Sequence, residues 1–485
     1  MGLEDRLHAL QSRYIAGPQW LRSVVGQGYA LLPRHLRHGA AYTRFFDEVA
    51  STAPDAVARL ARRKLAATLA HAIGHVPAYR EYGDLLASMG EPLACLAQLP
   101  VIGKADMKRT PAAYQAADAA TRGLRTFTGG STAQPMEFFL ERHVTRPRET
   151  AYIDHINMHV LGRRKNDLTL SLHGRTVASA KRQGGSLWMR EPIKRELIFS
   201  SDHLERSYMP DYLQALRKLR PRQIHAYPSA LLPLAQWLAE FPCPEFADGV
   251  EGIMLTSENI YAEQMEMFRK TFPAARIVRH YGHSERVLMA IAVGESTEYT
   301  FFPLYGHVEL IGVDGRPIET PGVPGEIVGT SFDNRVMPFI RYRTGDVGVW
   351  GDSPGGMPPV LQRIEGRTQD FVVCKDHRLV SVTTLGAAHF SELAIADLIQ
   401  YEQDQPGLVA VKVVAPRPLH AQEIQRIKEA VSNKTQGGCL AEVRQVAQLA
   451  RTARGKHLML VQRLDLRRFF GAIAARTADA PTLDL

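Results

Sequence analysis

The 485-residue sequence holds only four cysteines, Cys95, Cys243, Cys374 and Cys439, and they stand far apart. With no CxxC pair, the sequence suggests neither a structural zinc site nor a disulfide framework. Such cysteine usage fits a reducing cytoplasm. Long apolar runs are missing as well. No run of about 18 or more apolar residues occurs, so no transmembrane helix is expected. The opening MGLEDRLHAL carries charges where a signal peptide needs an apolar core. Arg6 stands where N-myristoylation needs Ser or Thr. Clustered positive charge is also scarce, although the net charge is +9. The basic groups at 61–64, 162–165 and 217–222 are short and have no interleaved aromatics, which argues against a nucleic-acid module. Anionic substrates or an acidic membrane surface fit the charge equally well.

What is present reads as a large folded α/β protein. Hydrophobic residues make up 45% and charged residues 22%, enough for a sizeable core and more than one domain. Residues 1–95 read as helical. Thr52 is placed to cap a helix that has Pro54 and Asp55 in its first turn and Leu65, Leu69, Ile73 and Val76 at helical spacing. From about residue 124, strand-like runs (167–173, 251–256, 275–282) alternate with helical ones (210–219, 262–272), the pattern of layered α/β sheets. Residues 301–350 read as successive strands, including one over 337–350, with a hairpin signal at Asp314–Gly315. A boundary is expected at about 367–371. It divides a large N-terminal domain, 1–366, from a small α+β domain, 367–485, that carries a strand at 407–415 and a helix at 421–431. The last ten residues read as a loose tail.

Five segments suggest chemistry. The first, TFTGGSTAQPMEFF (126–139), is neither a Walker loop nor a hydrolase elbow. No Lys follows its glycines, Ala133 replaces the elbow's second glycine, and a strand follows where the elbow needs a helix. Gly129 and Gly130 can open an anion-binding nest, with Thr128, Ser131 and Thr132 as further donors; an ordinary strand-connecting loop remains the other reading. The second, HYGHSE (280–285), ends an apolar strand. Gly282 allows a tight turn, and Glu285 supplies a hard oxygen ligand of the kind Mg²⁺ takes; a surface turn with a solvated Glu fits equally. In IRYRTGDVG (340–348), Asp346 follows a Thr-Gly turn at a strand end and is a candidate for holding a ribose diol. EGRTQD (365–370) lies at the boundary. In ARGKHLMLVQ (453–462), Lys456 reads by composition alone as a solvated surface charge.

Taken together and in order, these segments resemble the adenylate-forming (acyl-AMP-forming) superfamily, in its phenylacetate–CoA ligase-like branch. Within that branch they are most similar to the capsular polysaccharide biosynthesis (CapK-like) and coenzyme F390 synthetase group. TGGSTAQP matches the phosphate loop of that group. YPSALLPLAQWL (227–238) and TSENI (256–260) match its acyl-pocket and adenine-flanking segments. YGHSERV, GEIVGTSFDNRVMPFIRYRTGD (325–346), GRTQD and RTARGK complete the set. The resemblance spans about residues 70–465.

It implies a ligase that uses ATP and Mg²⁺ to convert a carboxylic acid to an acyl-adenylate. The acyl group then passes to CoA, to a carrier protein's phosphopantetheine or to an amine. Thr128, Gly129, Gly130, Ser131 and Thr132 would hold the β- and γ-phosphates. Tyr281 and Gly282 would flank adenine with Ser257 and Glu258 nearby, and Ser284 would face the α-phosphate. Glu285 would bind Mg²⁺, Asp346 and Arg367 the ribose hydroxyls. Asp370 would sit at a hinge over 367–370, and Lys456 would reach the reacting carboxylate from the small domain. Zinc is not expected, because 286–302 lack the cysteines some relatives carry there. His283 is expected to make a structural hydrogen bond rather than touch substrate. A non-catalytic nucleotide-binding scaffold with the same fold is the rival reading. The acid itself, aryl, fatty or amino, is left open.

Overall fold

The computed structural model describes residues 34–85, 90–128, 136–173, 187–200, 208–258, 262–312, 314–367, 371–381, 398–449 and 458–464, with a few isolated positions besides. Gly129, Gly130, Ser131, Thr132, Ala133, Asp370 and Lys456 lie outside them.

The N-terminal part is helical, led by Ala40–Ser51 and Pro54–His75. Pro54 occupies the first turn, where its missing N–H removes no helical hydrogen bond. Thr52, however, does not cap this helix. Its hydroxyl and its N–H both reach Glu48 O, so it closes the preceding helix, and Ala53 takes the N-cap place. With only two residues between the helices, one side chain cannot serve both ends. Leu65, Leu69 and Ile73, four residues apart, are buried.

Twenty strands follow among the described residues. β1 (Gly123–Phe127) and β2 (Glu137–Glu141) form an antiparallel pair. β3 (Thr169–Leu172), β4 (Trp188–Glu191), β5 (Glu196–Phe199), β6 (Gln223–Ala226), β7 (Gly252–Thr256) and β8 (Arg276–Gly282) come next. They are followed by β9 (Met289–Val293), β10 (Tyr299–Phe301), β11 (Gly306–Ile311), β12 (Pro324–Ser331), β13 (Tyr342–Trp350) and β14 (Val360–Arg367). β3 to β14 make one 12-stranded sheet in the order β11-β12-β13-β14-β10-β9-β8-β7-β6-β3-β5-β4. From β5 through β3, β6 and β7 to β8 the neighbours run parallel; beyond β8 every pair is antiparallel.

Apolar side chains of the parallel strands are covered on both faces of the sheet. One face packs on helices Met209–Leu219, Pro228–Glu240 and Ala262–Thr271 through Leu170, Ile224, Ile253 and Ile277. The other packs Met254 and Val278 against Tyr42, Phe45 and Tyr152 of helices Ala40–Ser51 and Thr145–His155.

The strand expected over 337–350 begins only at Tyr342. Pro338 has no N–H for a ladder, and polar side chains take over the pairing. Ser331 Oγ accepts from Phe339 N–H, Thr330 Oγ1 from Arg341 N–H, and Asn334 donates to Met337 O and Phe139 O. Asp314–Gly315 forms a turn as expected: Gly315 has φ +78°, and Gly312 N–H reaches Arg316 O.

β15 (Phe371–Val373) and β16 (Leu379–Ser381) pair with each other. β17 (Leu398–Gln405), β18 (Leu408–Val414), β19 (Leu440–Gln445) and β20 (Leu460–Gln462) form a sheet in the order β19-β18-β17-β20. Helix Ala421–Lys434 buries Ile427 and Val431 against it. Here Cys374 and Cys439, 65 residues apart, meet with sulfurs 3.8 Å apart. Their distance along the chain gave no sign of this. Among the described residues no helix is long and apolar enough to cross a membrane.

Candidate active site

The parallel and antiparallel halves of the large sheet join at β8, and the candidate residues gather at its end. Tyr281 Oη donates to Asp346 Oδ2 at 2.8 Å. His283 Nε2 lies 2.8 Å from the same Tyr281 oxygen and 3.5 Å from Asp346 Oδ2. A phenol has one proton, and here it goes to the carboxylate. The oxygen must therefore accept from His283, which places a proton on Nε2. His283 thus makes the hydrogen bond expected of it. Its Nδ1 is buried and meets no partner among the described residues. The Tyr281 ring stands edge-on to Phe301 and Tyr299.

Asp346 reaches this place through a bulge rather than at a strand end. β12 pairs Val328 with Arg343 and Glu326 with Val347, so Thr344, Gly345 and Asp346 loop out of β13. Gly345 takes φ +79°, a backbone state that favours glycine. Thr344 Oγ1 donates to Ile327 O and accepts Asp346 N–H, replacing the lost ladder bonds. Across the next ladder Asp346 is in register with Arg367, the last residue of β14.

Glu285 is tethered from another strand. Tyr342 Oη donates to its Oε1 at 2.9 Å, and burial together with this carboxylate pushes the Tyr342 hydroxyl well above the usual phenol range. The intervening turn, His283 to Arg286, is held from beneath by Arg148. This guanidinium is fully buried and donates to the carbonyls of Arg286, at 2.9 Å, Tyr305 and Phe332. It also lies over the Tyr305 ring, 4.0 Å from its centre. Arg286 itself has φ +56°. Ser284 is half-buried in the same turn.

Gly282 differs from expectation in its reason. Its φ is not positive, so no tight turn demands glycine. A Cβ there would meet the His280 side chain, with Cε1 at 3.0 Å, so any larger residue would press on that imidazole. His280 bonds Thr256 Oγ1 through Nδ1 at 3.2 Å, and burial holds its imidazole below the usual range. Past β7, Ser257 takes φ +68°, and Glu258 accepts both Ser229 N–H and Ser229 Oγ at 2.9 Å. The first expected phosphate residue, Thr128, closes the neck of its loop. Its N–H donates to Met136 O, and its Oγ1 accepts Met136 N–H, both at 2.9 Å.

The structure therefore brings Tyr281, His283, Asp346 and Glu285 to one end of β8, with Ser257 and Glu258 at the neighbouring end of β7. Sequence reasoning missed Tyr342, Ser229, Thr256, His280 and Arg148. Tyr342, Ser229, Thr256 and His280 all lie inside segments singled out in the sequence, without a role given to them there, whereas Arg148 left no signal.

No family model matches the chain. Protein CapK of Staphylococcus aureus is 22% identical over 331 residues, which are 67% of this chain and 70% of that protein. Among solved structures, 2-hydroxyisobutyryl-CoA ligase in its postadenylation state superposes with TM-score 0.61 at 16% identity, covering 93% of this chain and 94% of that one. The fold is that of the adenylate-forming ligases. The fatty acyl-adenylate ligases from E. coli and L. pneumophila share it with TM-score 0.50 at 15% identity, over 73% of this chain and 70% of theirs. The adenylate-forming fold accounts for a large α/β sheet followed by a small α+β sheet in one chain.

Proposed function

We propose that the protein is an adenylate-forming ligase of the phenylacetate–CoA ligase-like type. It activates a carboxylic acid with ATP and Mg²⁺ and passes the acyl group to CoA, a carrier-protein thiol or an amine. The observation that carries this reading is the meeting of Tyr281, His283 and Asp346 beside the Glu285–Tyr342 tether. It is supported by similarity to a ligase solved with an acyl-AMP, and with acyl-AMP and CoA in its thioesterification state.

In this reading Tyr281 and the Ser257–Glu258 turn flank the base. Asp346 and Arg367 receive the ribose diol, with Asp346 already oriented by Tyr281. Thr128 to Thr132 wrap the β- and γ-phosphates. Ser284 faces the α-phosphate. Glu285 fits Mg²⁺ in kind: it is a hard oxygen donor, and among the described residues only its Oε1 is engaged, by Tyr342. A bound Mg²⁺ would lower the repulsion between two anions and stabilise charge on the phosphates. The acid's carboxylate oxygen attacks the α-phosphorus, the bond to the β-phosphate oxygen breaks, and pyrophosphate leaves. Lys456 neutralises charge on the meeting anions. One charge pair at about 4 Å and an effective dielectric near 20 is worth about 4 kcal/mol, roughly a thousandfold in rate. We place Lys456 on a mobile domain, 367–485, that swings about 367–370 near Asp370 against the large domain, 1–366. The protein is assigned to the cytoplasm.

ATP–pyrophosphate exchange against aryl, fatty and amino acids tests the reading, and absence of exchange with all of them contradicts it. Lys456→Ala should lower exchange about a thousandfold. It should leave transfer from a preformed acyl-adenylate largely intact; loss of both activities would refute the two-step arrangement.

A further inference from the structure

The parallel strands end in a polar row. Register places Ser171 of β3, His225 of β6, Met254 of β7 and Val278 of β8 side by side on one face. Two residues further on come His173, Tyr227, Thr256 and His280, at the carboxyl ends of the same strands. The His173 ring lies 4.4 Å from His225 and 6.3 Å, edge-on, from Tyr227. Thr256 bonds His280 across β7 and β8. Two polar atoms here, Ser171 Oγ and His280 Nε2, are buried without a hydrogen-bond partner among the described residues.

Open α/β sheets bind their ligands outside the carboxyl ends of parallel strands. The row is also continuous with the nucleotide side: Thr256 runs into Ser257 and Glu258, and His280 into Tyr281. In the adenylation reading this row adjoins the place where the acid's carboxylate would meet the α-phosphate. Buried polar groups are costly when left unpaired, and a plain alkyl or aryl chain cannot pair them. Resting on the adenylation reading above, we infer that the substrate is a polar carboxylic acid. Its body bears a hydroxyl, an amino group or a second carboxylate that bonds to the histidine row.

The test uses matched acids in ATP–pyrophosphate exchange. The pairs are 4-hydroxybenzoate and 4-aminobenzoate against benzoate, and 3-hydroxybutyrate and succinate against butyrate. The polar member of at least one pair should be preferred by about a hundredfold or more in kcat/KM, as for sites built to bond a substrate hydroxyl or amine. Preference for the apolar members overturns the inference while leaving the adenylation reading standing. Absence of any exchange refutes adenylation. Calorimetric binding of the same acids in the presence of AMP then decides the inference by itself: tighter polar binding supports it, and equal or absent binding overturns it. His173→Phe with His225→Leu should bring the preference near unity, whereas His173→Gln with His225→Gln, which keeps hydrogen-bonding groups, should retain most of it. A leucine–phenylalanine variant that is folded by circular dichroism and still prefers polar acids overturns the inference. If it fails to fold, loss of the preference in the folded glutamine variant does so instead.

Discussion

Tyr281→Phe removes one oxygen and keeps the ring, so it separates stacking from orientation. That oxygen gives its proton to Asp346 and accepts one from His283. A hydrogen bond to a charged group contributes about 1.5–3 kcal/mol. Part of this is recoverable, because His283 Nε2 already lies 3.5 Å from Asp346 Oδ2 and can close the gap to bond it directly. The net loss should be about 1–2 kcal/mol, a roughly five- to thirtyfold weakening. We expect the KM for ATP in pyrophosphate exchange to rise by that factor while the KM for the acid stays put. Urea unfolding of the same protein separates any loss of stability. The compensating move makes a second outcome specific: His283→Leu should cost more in the Tyr281→Phe protein than in the native one. Equal costs in the two backgrounds, or an unchanged KM for ATP, would refute this account of the triad.

Arg148→Met keeps much of the volume but strips three carbonyls, two of them buried, of their donor and leaves Asp333 without the guanidinium 3.8 Å away, so thermal unfolding should show a loss of about 3–5 kcal/mol. Gly438→Ala should cost about 1–3 kcal/mol in urea unfolding, because its methyl would meet Cys374 Sγ at 2.6 Å and Thr435 O at 2.8 Å. His307 is held down at about 4, chiefly by burial and then by the Arg341 guanidinium. The unfolded chain takes up a proton near 6.5, before the folded one does, so this contribution is complete above that pH and falls away towards 4, by about 3 kcal/mol at most. His307→Gln should flatten the pH dependence of the urea midpoint across that window.

β3, β7 and β8 were legible because each carries a short apolar core, Leu170 and Leu172, Ile253 to Leu255, and Ile277 and Val278, whereas β6, with Gln223 and His225 among its four residues, was not. The helix Pro54–His75 was legible for a similar reason, its buried stripe recurring every four residues. Thr52 misled because a hydroxyl between two helices serves either end, and only packing decides which. The stretch before Tyr342 reads as a strand by composition, yet its hydrogen bonds go to Thr330 and Ser331 side chains, which no local pattern reveals. The bulge at Thr344–Asp346 was visible as a Thr-Gly signal but not as an interruption within one strand. At the site, single residues were readable and their partnerships were not. Tyr281 and Asp346 are 65 residues apart, Tyr342 and Glu285 57, and Ser229 and Glu258 29. Ser229 and Glu258 follow the neighbouring strands β6 and β7, whereas β8 and β13 have three strands between them, so the pairings depend on the order of the whole sheet. The histidine row depends wholly on register, since its members come from four separate segments.

The neck made by Thr128 and Met136 bears on the length of the loop they close. Two hydrogen bonds hold Thr128 and Met136 together, so closing the chain between them carries the entropy of a loop with its ends at one point. That term grows with the logarithm of length, and doubling the loop adds only about 0.6 kcal/mol. Chain closure alone therefore sets almost no limit on the number of residues from 129 to 135. If shortening or lengthening this loop abolishes activity while the protein stays folded, the limit found is a ruler for the object the loop encloses.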